Sequence, residues 1–169
     1  MKRHWARLVR LPPIICRRPN SLVGMRTALV VHGPNLNLLG TREPEIYGTT
    51  TLIELDEQCR IWGAEIGMAV RSFQSNHEGE IIDRIHQARS EATVGIVINP
   101  GALGHYSYAL HDAITSVALP TVEVHISDTD SREDWRKISV IRSACVATFI
   151  GEGIEGYRSA LRELRKRVD

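Results

Sequence analysis

The chain has 169 residues, 43% of them hydrophobic and 24% charged, which is the composition of an ordinary globular domain. Its net charge of +1 conceals an asymmetry, because residues 1–26 carry seven basic and no acidic side chains while the remainder carries 14 basic and 20 acidic ones. A mildly acidic body argues against a nucleic-acid-binding surface, and no apolar run approaches the roughly 18 residues that suggest a membrane span.

The first 26 residues are predicted to lie outside the folded domain, which we place at residues 27–169. They show no periodicity and contain Pro12, Pro13 and Pro19. This basic extension could be a disordered tail, a targeting peptide, or sequence upstream of a true start at Met25. Its apolar run is broken by Arg10 and two prolines, which makes a poor signal sequence.

From Thr27 onward the sequence alternates between strands and helices. Buried-type strands are predicted, in chain order, at residues 28–32, 68–75, 95–99, 121–127 and 145–151. Helices are predicted at residues 52–67, 78–90, 107–117 and 154–168. Thr50 or Thr51 can cap the first of these helices, and Ser131 can cap a short helix that runs through Trp135.

This alternation predicts an α/β fold in which helices cover both faces of a parallel sheet. Right-handed crossovers between five strands favour a flavodoxin-like, three-layer α/β/α arrangement with the strand order 2-1-3-4-5. The three cysteines, Cys16, Cys59 and Cys145, are scattered and form no CxxC or metal-binding spacing. They are typical of reduced thiols in a cytoplasmic protein.

Polar residues collect after three of the predicted strands. The segment 33–37 follows the first strand, the segment 99–105 follows the third, and residues 123–127 end the fourth. In the predicted order these strands are neighbours, and their carboxyl ends meet where sheets of this kind bind ligands. We therefore expect one site built from the three segments.

The residue types in these segments limit the chemistry. None of the three lysines lies in a polar segment, which argues against a Schiff base, and neither GxGxxG nor GxxxxGK[ST] occurs. His105 and His125 alone are too few for a metal site. The remaining His, Tyr, Arg, Asn and Ser side chains suit acid–base chemistry on a polar, anionic small molecule.

Glu123 and His125 are predicted to share one strand face, because side chains alternate along a strand. A carboxylate beside an imidazole raises the pKa of the ring and fixes its tautomer, as a general acid requires. Each candidate has a simpler explanation when taken singly. Tyr47 could lie on the surface, Arg42 could pair with Glu43 or Glu45, and the asparagines and histidines could hold turns or the core.

The motifs as a set resemble the type II 3-dehydroquinate dehydratases. They are GPNLNLLGTREPEIYG (33–48), FQSNHEGEIIDRIHQA (73–88), NPGALGHYSYALHDAI (99–114), PTVEVHIS (120–127), REDWR (132–136) and GEGIEGYRSAL (151–161). The resemblance covers about residues 27–168. It implies a flavodoxin-like catalytic domain that dehydrates 3-dehydroquinate to 3-dehydroshikimate by anti elimination through an enolate, with no metal or cofactor. It also implies a homo-oligomer, a dodecamer built from trimers.

The resemblance further implies roles for individual residues. Tyr47 would be the base, Arg42 would favour its ionised form, and Asn35 would hold the water that stabilises the enolate. His125 would be the acid, with Glu123 behind it. The implied substrate-binding groups are the side chains of Asn99, His105 and Arg136, the backbone N–H groups of Ile126 and Ser127, and Asp112, which would reach a neighbouring subunit's site.

A free tyrosine has a pKa of ~10, so a tyrosine base requires a nearby cation in a site from which water is excluded. We therefore expect the segment 40–48 to close over the substrate as a lid, with Gly40 and Gly48 as hinges.

Three positions depart from the family pattern: His32 where Asn is frequent, Gly104 where Thr is usual, and Asp128 where Asn is usual. Gly104 is expected to loosen the turn at His105, and Asp128 to weaken the binding of a carboxylate. Two alternatives stay open, a non-enzymatic flavodoxin-like binding module and a dehydratase of a related cyclic hydroxyacid. The sequence does not distinguish aromatic biosynthesis from quinate breakdown.

Overall fold

The computed structural model describes residues 25–168, which contain a single sheet of five parallel strands. The strands are β1 (Arg26–His32), β2 (Met68–Gln74), β3 (Thr93–Asn99), β4 (Thr121–His125) and β5 (Ala147–Ile150). Their order is β2-β1-β3-β4-β5, and every neighbouring pair is parallel. The predicted flavodoxin-like α/β architecture is therefore confirmed.

Five α-helices belong to the described part of the chain: α1 (Pro44–Tyr47), α2 (Leu52–Glu65), α3 (Glu78–Ser90), α4 (Tyr108–Val117) and α5 (Glu155–Arg167). Of the two candidate caps for α2, the structure selects Thr51, whose hydroxyl accepts the backbone N–H of Glu54 while the Glu54 carboxylate accepts that of Thr51. This reciprocal arrangement satisfies two N–H groups that the helix itself leaves unpaired. None of the helices from residue 25 to residue 168 has the length and apolarity needed to cross a membrane.

The sheet separates two apolar cores. One core packs α2 and α5 against alternate residues of β1, β3 and β4, and it includes Val30, Val97 and Val124. The other packs α3 and α4 against the opposite face and includes Leu29, Val31 and Ile98. Because both faces of the sheet are covered, β1 and β3 read as continuous apolar runs up to their polar carboxyl ends.

The order of the sheet places the ends of β1 and β3 side by side. His32 pairs with Asn99 in the ladder, and the next residue, Gly33, donates its N–H to the carbonyl of Asn99 over 2.8 Å. A β-carbon on Gly33 would lie 2.3 Å from the carbonyl oxygen of Pro100. The segments that follow β1 and β3 can therefore lie this close together only with a glycine at position 33. The chain therefore leaves β1 next to the loop that follows β3.

Two regions differ from the sequence-based expectation. The prediction that Ser131 caps a helix is wrong, because the Asp128 side chain accepts the N–H of Asp130 and starts a 3₁₀ turn over Thr129–Ser131 instead. A separate 3₁₀ turn, Asp134–Lys137, follows it. β1 starts at Arg26, one residue before the predicted domain boundary. The remainder of the predicted N-terminal extension, residues 1–24, lies outside the described residues.

Candidate active site

A cleft opens at the carboxyl ends of β1, β3 and β4, where the sequence places its three polar segments. Eight of the eleven predicted site residues line it: Asn35, Arg42, Tyr47, His105, His125, Ile126, Ser127 and Arg136. The other three, Asn99, Glu123 and Asp112, lie elsewhere and are described below. The topology therefore brings side chains that are far apart in sequence to one concave surface, as expected for a parallel sheet.

The phenol of Tyr47 lies against two guanidinium groups. Nη1 of Arg132 donates to the Tyr47 hydroxyl over 2.7 Å, and the guanidinium carbon of Arg42 lies 5.2 Å from the centre of the ring. Arg42 itself donates Nε–H to the carboxylate of Glu43 over 2.8 Å. The cation on the hydroxyl is thus Arg132, whereas Arg42, the residue that the sequence favours, faces the ring.

Arg132 is the main residue that the sequence analysis missed. Burial acts to lower the pKa of Arg132, but the hydrogen bond and the electrostatic interaction with Tyr47 outweigh it and raise that pKa. Arg132 begins the REDWR motif in the loop after β4, and it stands four residues before Arg136. Its place after a central strand was a usable signal, but nothing local indicates a partner 85 residues away.

The segment that carries Tyr47 has an unusual backbone. Asn35 has φ 68° and Glu43 has φ 39°, values in the left-handed region that few residues other than glycine adopt readily. The N–H of Asn35 is held by the side chain of Asn76 over 2.8 Å. Gly48 ends α1 with φ 78° and ψ −177°, a conformation that is accessible essentially only to glycine. Any residue other than glycine at position 48 would therefore strain the backbone at the end of α1.

His125 and Glu123 form the predicted pair on one face of β4. Nε2 of His125 lies 2.8 Å from Oε1 of Glu123, which also accepts the hydroxyl of Ser139 over 2.6 Å. Glu123 is fully buried. Burial acts to raise the pKa of Glu123, but the hydrogen bonds from His125 and Ser139 outweigh it, so that the pKa is lowered. Glu123 is therefore a buried carboxylate, and it fixes the orientation of the His125 ring.

His105 stacks beside His125, with 5.8 Å between the ring centres, and its Nδ1 lies 2.7 Å from the carbonyl oxygen of Ile138. Burial lowers the pKa of His105, and the neighbouring His125 and Arg136 lower it further, against the opposing effect of the Ile138 carbonyl. The ring is therefore neutral at ordinary pH. Because its Nδ1–H is donated to Ile138, Nε2 is an acceptor.

Arg136 is oriented by its own neighbours in the sequence. Its Nε donates to Glu133 over 2.7 Å, and its guanidinium lies 4.0 Å from the centre of the Trp135 ring. Trp135 also meets His105 edge to face. These contacts hold Arg136 and His105 together at one wall of the cleft.

Three predicted residues do not line the cleft. Asn99 is buried, and its Oδ1 accepts the N–H of Gly101 over 3.2 Å. Glu123 lies behind His125. Asp112 lies on the outer surface of α4, where 84% of its side chain is exposed. Within residues 25–168, no three His, Cys, Asp or Glu side chains are grouped so that they could hold a metal ion.

Two of the departures from the family pattern have a clear structural setting. Gly104 is buried, and a β-carbon there would lie 2.7 Å from Cγ of Pro100. The turn that contains it is held by its carbonyl, which accepts the N–H of Val140 over 2.8 Å. Asp128 is exposed, and its carboxylate accepts the N–H of Asp130 rather than lining the cleft. Asp128 also lines an adjoining pocket together with Ile126, Ser127 and Arg132, and its expected effect on the binding of a carboxylate stays a prediction.

The lowered pKa of Glu123 predicts how stability depends on pH. The unfolded chain takes up a proton on this carboxyl near its ordinary value of 4.5, whereas the folded protein does so only at lower pH. The stabilisation from Glu123 is thus present above pH 4.5 and is lost as the pH falls through the folded-state pKa. We expect the difference in unfolding free energy between the wild type and Glu123→Gln to shrink from pH 7 to pH 3, measured by urea unfolding.

Val122→Ala is the control, because it creates a cavity in the same strand without changing a titrating group. Its destabilisation should be the same throughout this pH range. A Glu123→Gln difference that is equally independent of pH would contradict the carboxylate assignment.

Comparison with known proteins agrees with this geometry. The family model for Dehydroquinase class II matches residues 26–165. The 3-dehydroquinate dehydratase of Rhodopseudomonas palustris (strain TIE-1) is 52% identical over 143 residues, which cover 85% of this chain and 95% of that protein. The one from Caldicellulosiruptor saccharolyticus is 54% identical over 142 residues, or 84% and 98% of the two chains. The crystal structure of type II dehydroquinase from Butyrivibrio crossotus superimposes with a TM-score of 0.81 at 45% identity, covering 83% of this chain and 97% of that one. The chain therefore belongs to the class II dehydroquinase family.

Proposed function

We propose that this chain is a 3-dehydroquinate dehydratase, which removes water from 3-dehydroquinate to give 3-dehydroshikimate. The observation that carries the proposal is that one cleft holds two hydrogen-bonded pairs. In one pair the phenol of Tyr47 accepts from the guanidinium of Arg132, and in the other the imidazole of His125 bonds to the buried carboxylate of Glu123. An elimination needs a base that takes a proton from carbon and an acid that gives one to the departing hydroxyl. The relatives named for this reaction share about half of the sequence.

Tyr47 is the base in this proposal. Its phenolate removes a proton from the carbon next to the ketone, and the electron pair moves into the ketone to form an enolate. The positive charges of Arg132 and Arg42 stabilise the phenolate before the proton is transferred, and closure of the lid strengthens both interactions by excluding water. Asn35, in the same cleft, holds the water that donates to the enolate oxygen.

His125 is the acid. Its Nε2 is bonded to Glu123, so the proton for the departing hydroxyl comes from Nδ1. The Glu123 carboxylate stabilises the charged ring before the transfer and keeps it in position afterwards. The enolate returns its electron pair, the carbon–oxygen bond breaks, and water leaves. Tyr47 then loses the proton that it gained and His125 regains one from solvent, which completes the cycle.

The remaining polar groups bind the substrate. Neutral His105 accepts from a ring hydroxyl through Nε2, and Arg136 donates to another. The carboxylate is held by the backbone N–H groups of Ile126 and Ser127 and by Asn99, which is buried directly behind the cleft residue Gly101. Asp112, exposed on α4, contributes to the cleft of a neighbouring subunit in a dodecamer of trimers.

We place this reaction in the cytoplasm, in aromatic biosynthesis or in quinate breakdown, since both use the same elimination. A cyclic hydroxyacid related to 3-dehydroquinate is the second candidate substrate. Gly104 and Asp128, where this sequence departs from the family pattern, are the differences that motivate it.

Tyr47→Phe tests the base directly. The variant keeps the ring and removes the atom that takes the proton, so we expect kcat to fall about 10²–10⁴-fold, the usual contribution of a positioned acid or base. The measurement is the absorbance of 3-dehydroshikimate formed from 3-dehydroquinate. Tyr108→Phe, which changes an exposed tyrosine on α4, should keep wild-type turnover. Substantial activity in Tyr47→Phe would remove Tyr47 as the base.

A second variant pair ranks the two guanidinium groups. Arg132→Met removes the hydrogen bond to the phenol, whereas Arg42→Met removes the charge over the ring and the ion pair with Glu43 but no hydrogen bond to the phenol. We expect Arg132→Met to reduce kcat by about 10–100-fold, as for the loss of one hydrogen bond to a charged group, and Arg42→Met to reduce it less. Arg60→Met, at an exposed position of α2, is the control. If Arg42→Met reduced kcat more than Arg132→Met, Arg42 would be the main residue that stabilises the phenolate, and this ranking would be wrong.

A further inference from the structure

A chain of buried polar side chains lies on the face of the sheet opposite to His125. His32, at the end of β1, is fully buried, with Nδ1 3.1 Å from the hydroxyl of Tyr157 and Nε2 3.0 Å from Oδ1 of Asp56. Tyr157, on α5, is also fully buried, and its hydroxyl interacts with the side chain of Asn99. The chain therefore runs from Asp56 on α2 to Asn99, next to the cleft.

The protonation states of the two groups that flank His32 in this chain are fixed. Burial acts to raise the pKa of Asp56, but the hydrogen bond from His32 and the charges around it lower that pKa, so Asp56 is a carboxylate. Burial raises the pKa of Tyr157 well above its ordinary value, despite the opposing effect of Asn99, so Tyr157 keeps its proton.

These states determine the direction of each hydrogen bond. A carboxylate only accepts, so His32 donates its Nε2–H to Asp56, and in a neutral ring Nδ1 is then an acceptor. The hydroxyl of Tyr157 donates to that nitrogen, and its oxygen then accepts from Nδ2 of Asn99. Oδ1 of Asn99 independently accepts the N–H of Gly101, which requires the same orientation of the amide. In this direction every buried group in the chain has a hydrogen-bond partner.

The direction matters for the cleft because an asparagine amide has two different ends. With Oδ1 on Gly101 and one Nδ2 hydrogen on Tyr157, the second Nδ2 hydrogen is the group that Asn99 can offer to a ligand. If the amide were rotated, its oxygen would face an anionic ligand and repel it. An acceptor at position 32 prevents this rotation, because it commits the Tyr157 proton and leaves the phenol oxygen to accept.

We propose that His32 is a positioning residue that acts through Tyr157 on Asn99, so that Asn99 presents an N–H and not its oxygen to the carboxylate of the substrate. The proposal rests on the proposed function for the identity of that carboxylate. Asp56 supports it by holding His32 in the tautomer whose Nδ1 is an acceptor. Asn at position 32 would supply an equivalent acceptor in its Oδ1, close to where Nδ1 of His32 lies.

The test compares His32→Phe with His32→Asn in steady-state kinetics on 3-dehydroquinate. His32→Phe removes the acceptor, and we expect KM to rise about tenfold or more, as for the loss of one hydrogen bond to a charged group, while kcat changes less than about threefold. His32→Asn should return KM to near the wild-type value. Tyr157→Phe should raise KM as His32→Phe does, and the double variant should be no worse than either single variant.

Val30→Ala is the matched control, since Val30 lies in the same core two residues earlier on β1 and its side chain carries no hydrogen-bonding group. It should lower Tm without changing KM. If His32→Phe raises KM no more than Val30→Ala does, or if its effect simply adds to that of Tyr157→Phe, the positioning role is overturned. Absence of turnover in the wild type would instead contradict the proposed function.

A spectroscopic readout is independent of turnover. In protein labelled with ¹⁵N-histidine, with the His32 signals identified from His32→Asn, nitrogen shifts at neutral pH should show a protonated Nε2 and an unprotonated Nδ1. An Nδ1–H tautomer or a doubly protonated ring would overturn the proposal, even if His32→Phe failed to fold.

Discussion

The hydrogen bond between Arg132 and Tyr47 is the interaction on which the arrangement of the cleft depends. It joins the segment after β1 to the loop after β4, and it places the phenol against a cation at 2.7 Å. The backbone is unusual on both sides of α1, which carries Tyr47. Glu43, before the helix, is in a left-handed conformation, and Gly48, after it, has a positive φ. The contact with a cation and the strained backbone thus occur together at the phenol, which is typical of functional sites.

The two faces of the sheet supply different chemistry to the same edge. Glu123 and His125 project from one face of β4, whereas the chain from Asp56 through His32 and Tyr157 to Asn99 lies on the other. Each chain ends in a carboxylate that sets the orientation of a histidine. The first serves proton transfer in our proposal, and the second serves binding of an anionic group. Parallel strands make this possible, because both faces end at one edge.

The sequence predicted the fold well, because strong periodicity and turn residues specify the elements locally. The predicted bounds of α3 agree with the structure, and the confirmed strand order followed from general rules of chain connection. The cap at Ser131 failed, because the side chain of Asp128 competes for the same turn. The clustering of eight predicted residues in the cleft followed from topology. The contact between the Tyr47 hydroxyl and Arg132 could not be predicted in this way. Contacts between loops leave no periodic pattern in the sequence and depend on how the loops pack.

The buried role of His32 was equally hidden from the sequence. His32 stood out only as a departure before the Gly33–Pro34 turn, and its partners lie on two different helices. The positioning role of His32 was inferred from the directions of its hydrogen bonds, and these depend on the protonation states of buried groups. Such states follow from burial and neighbours, and a linear pattern contains neither.

A crystal structure with 3-dehydroshikimate bound tests the central claim most directly. The account predicts that the Tyr47 oxygen, still bonded to Arg132, faces the carbon next to the ketone on one side of the ring, with His125 on the opposite side as anti elimination requires. A Tyr47 hydroxyl that points into solvent over an occupied cleft, or one that lies on the same side of the ring as His125, would contradict it.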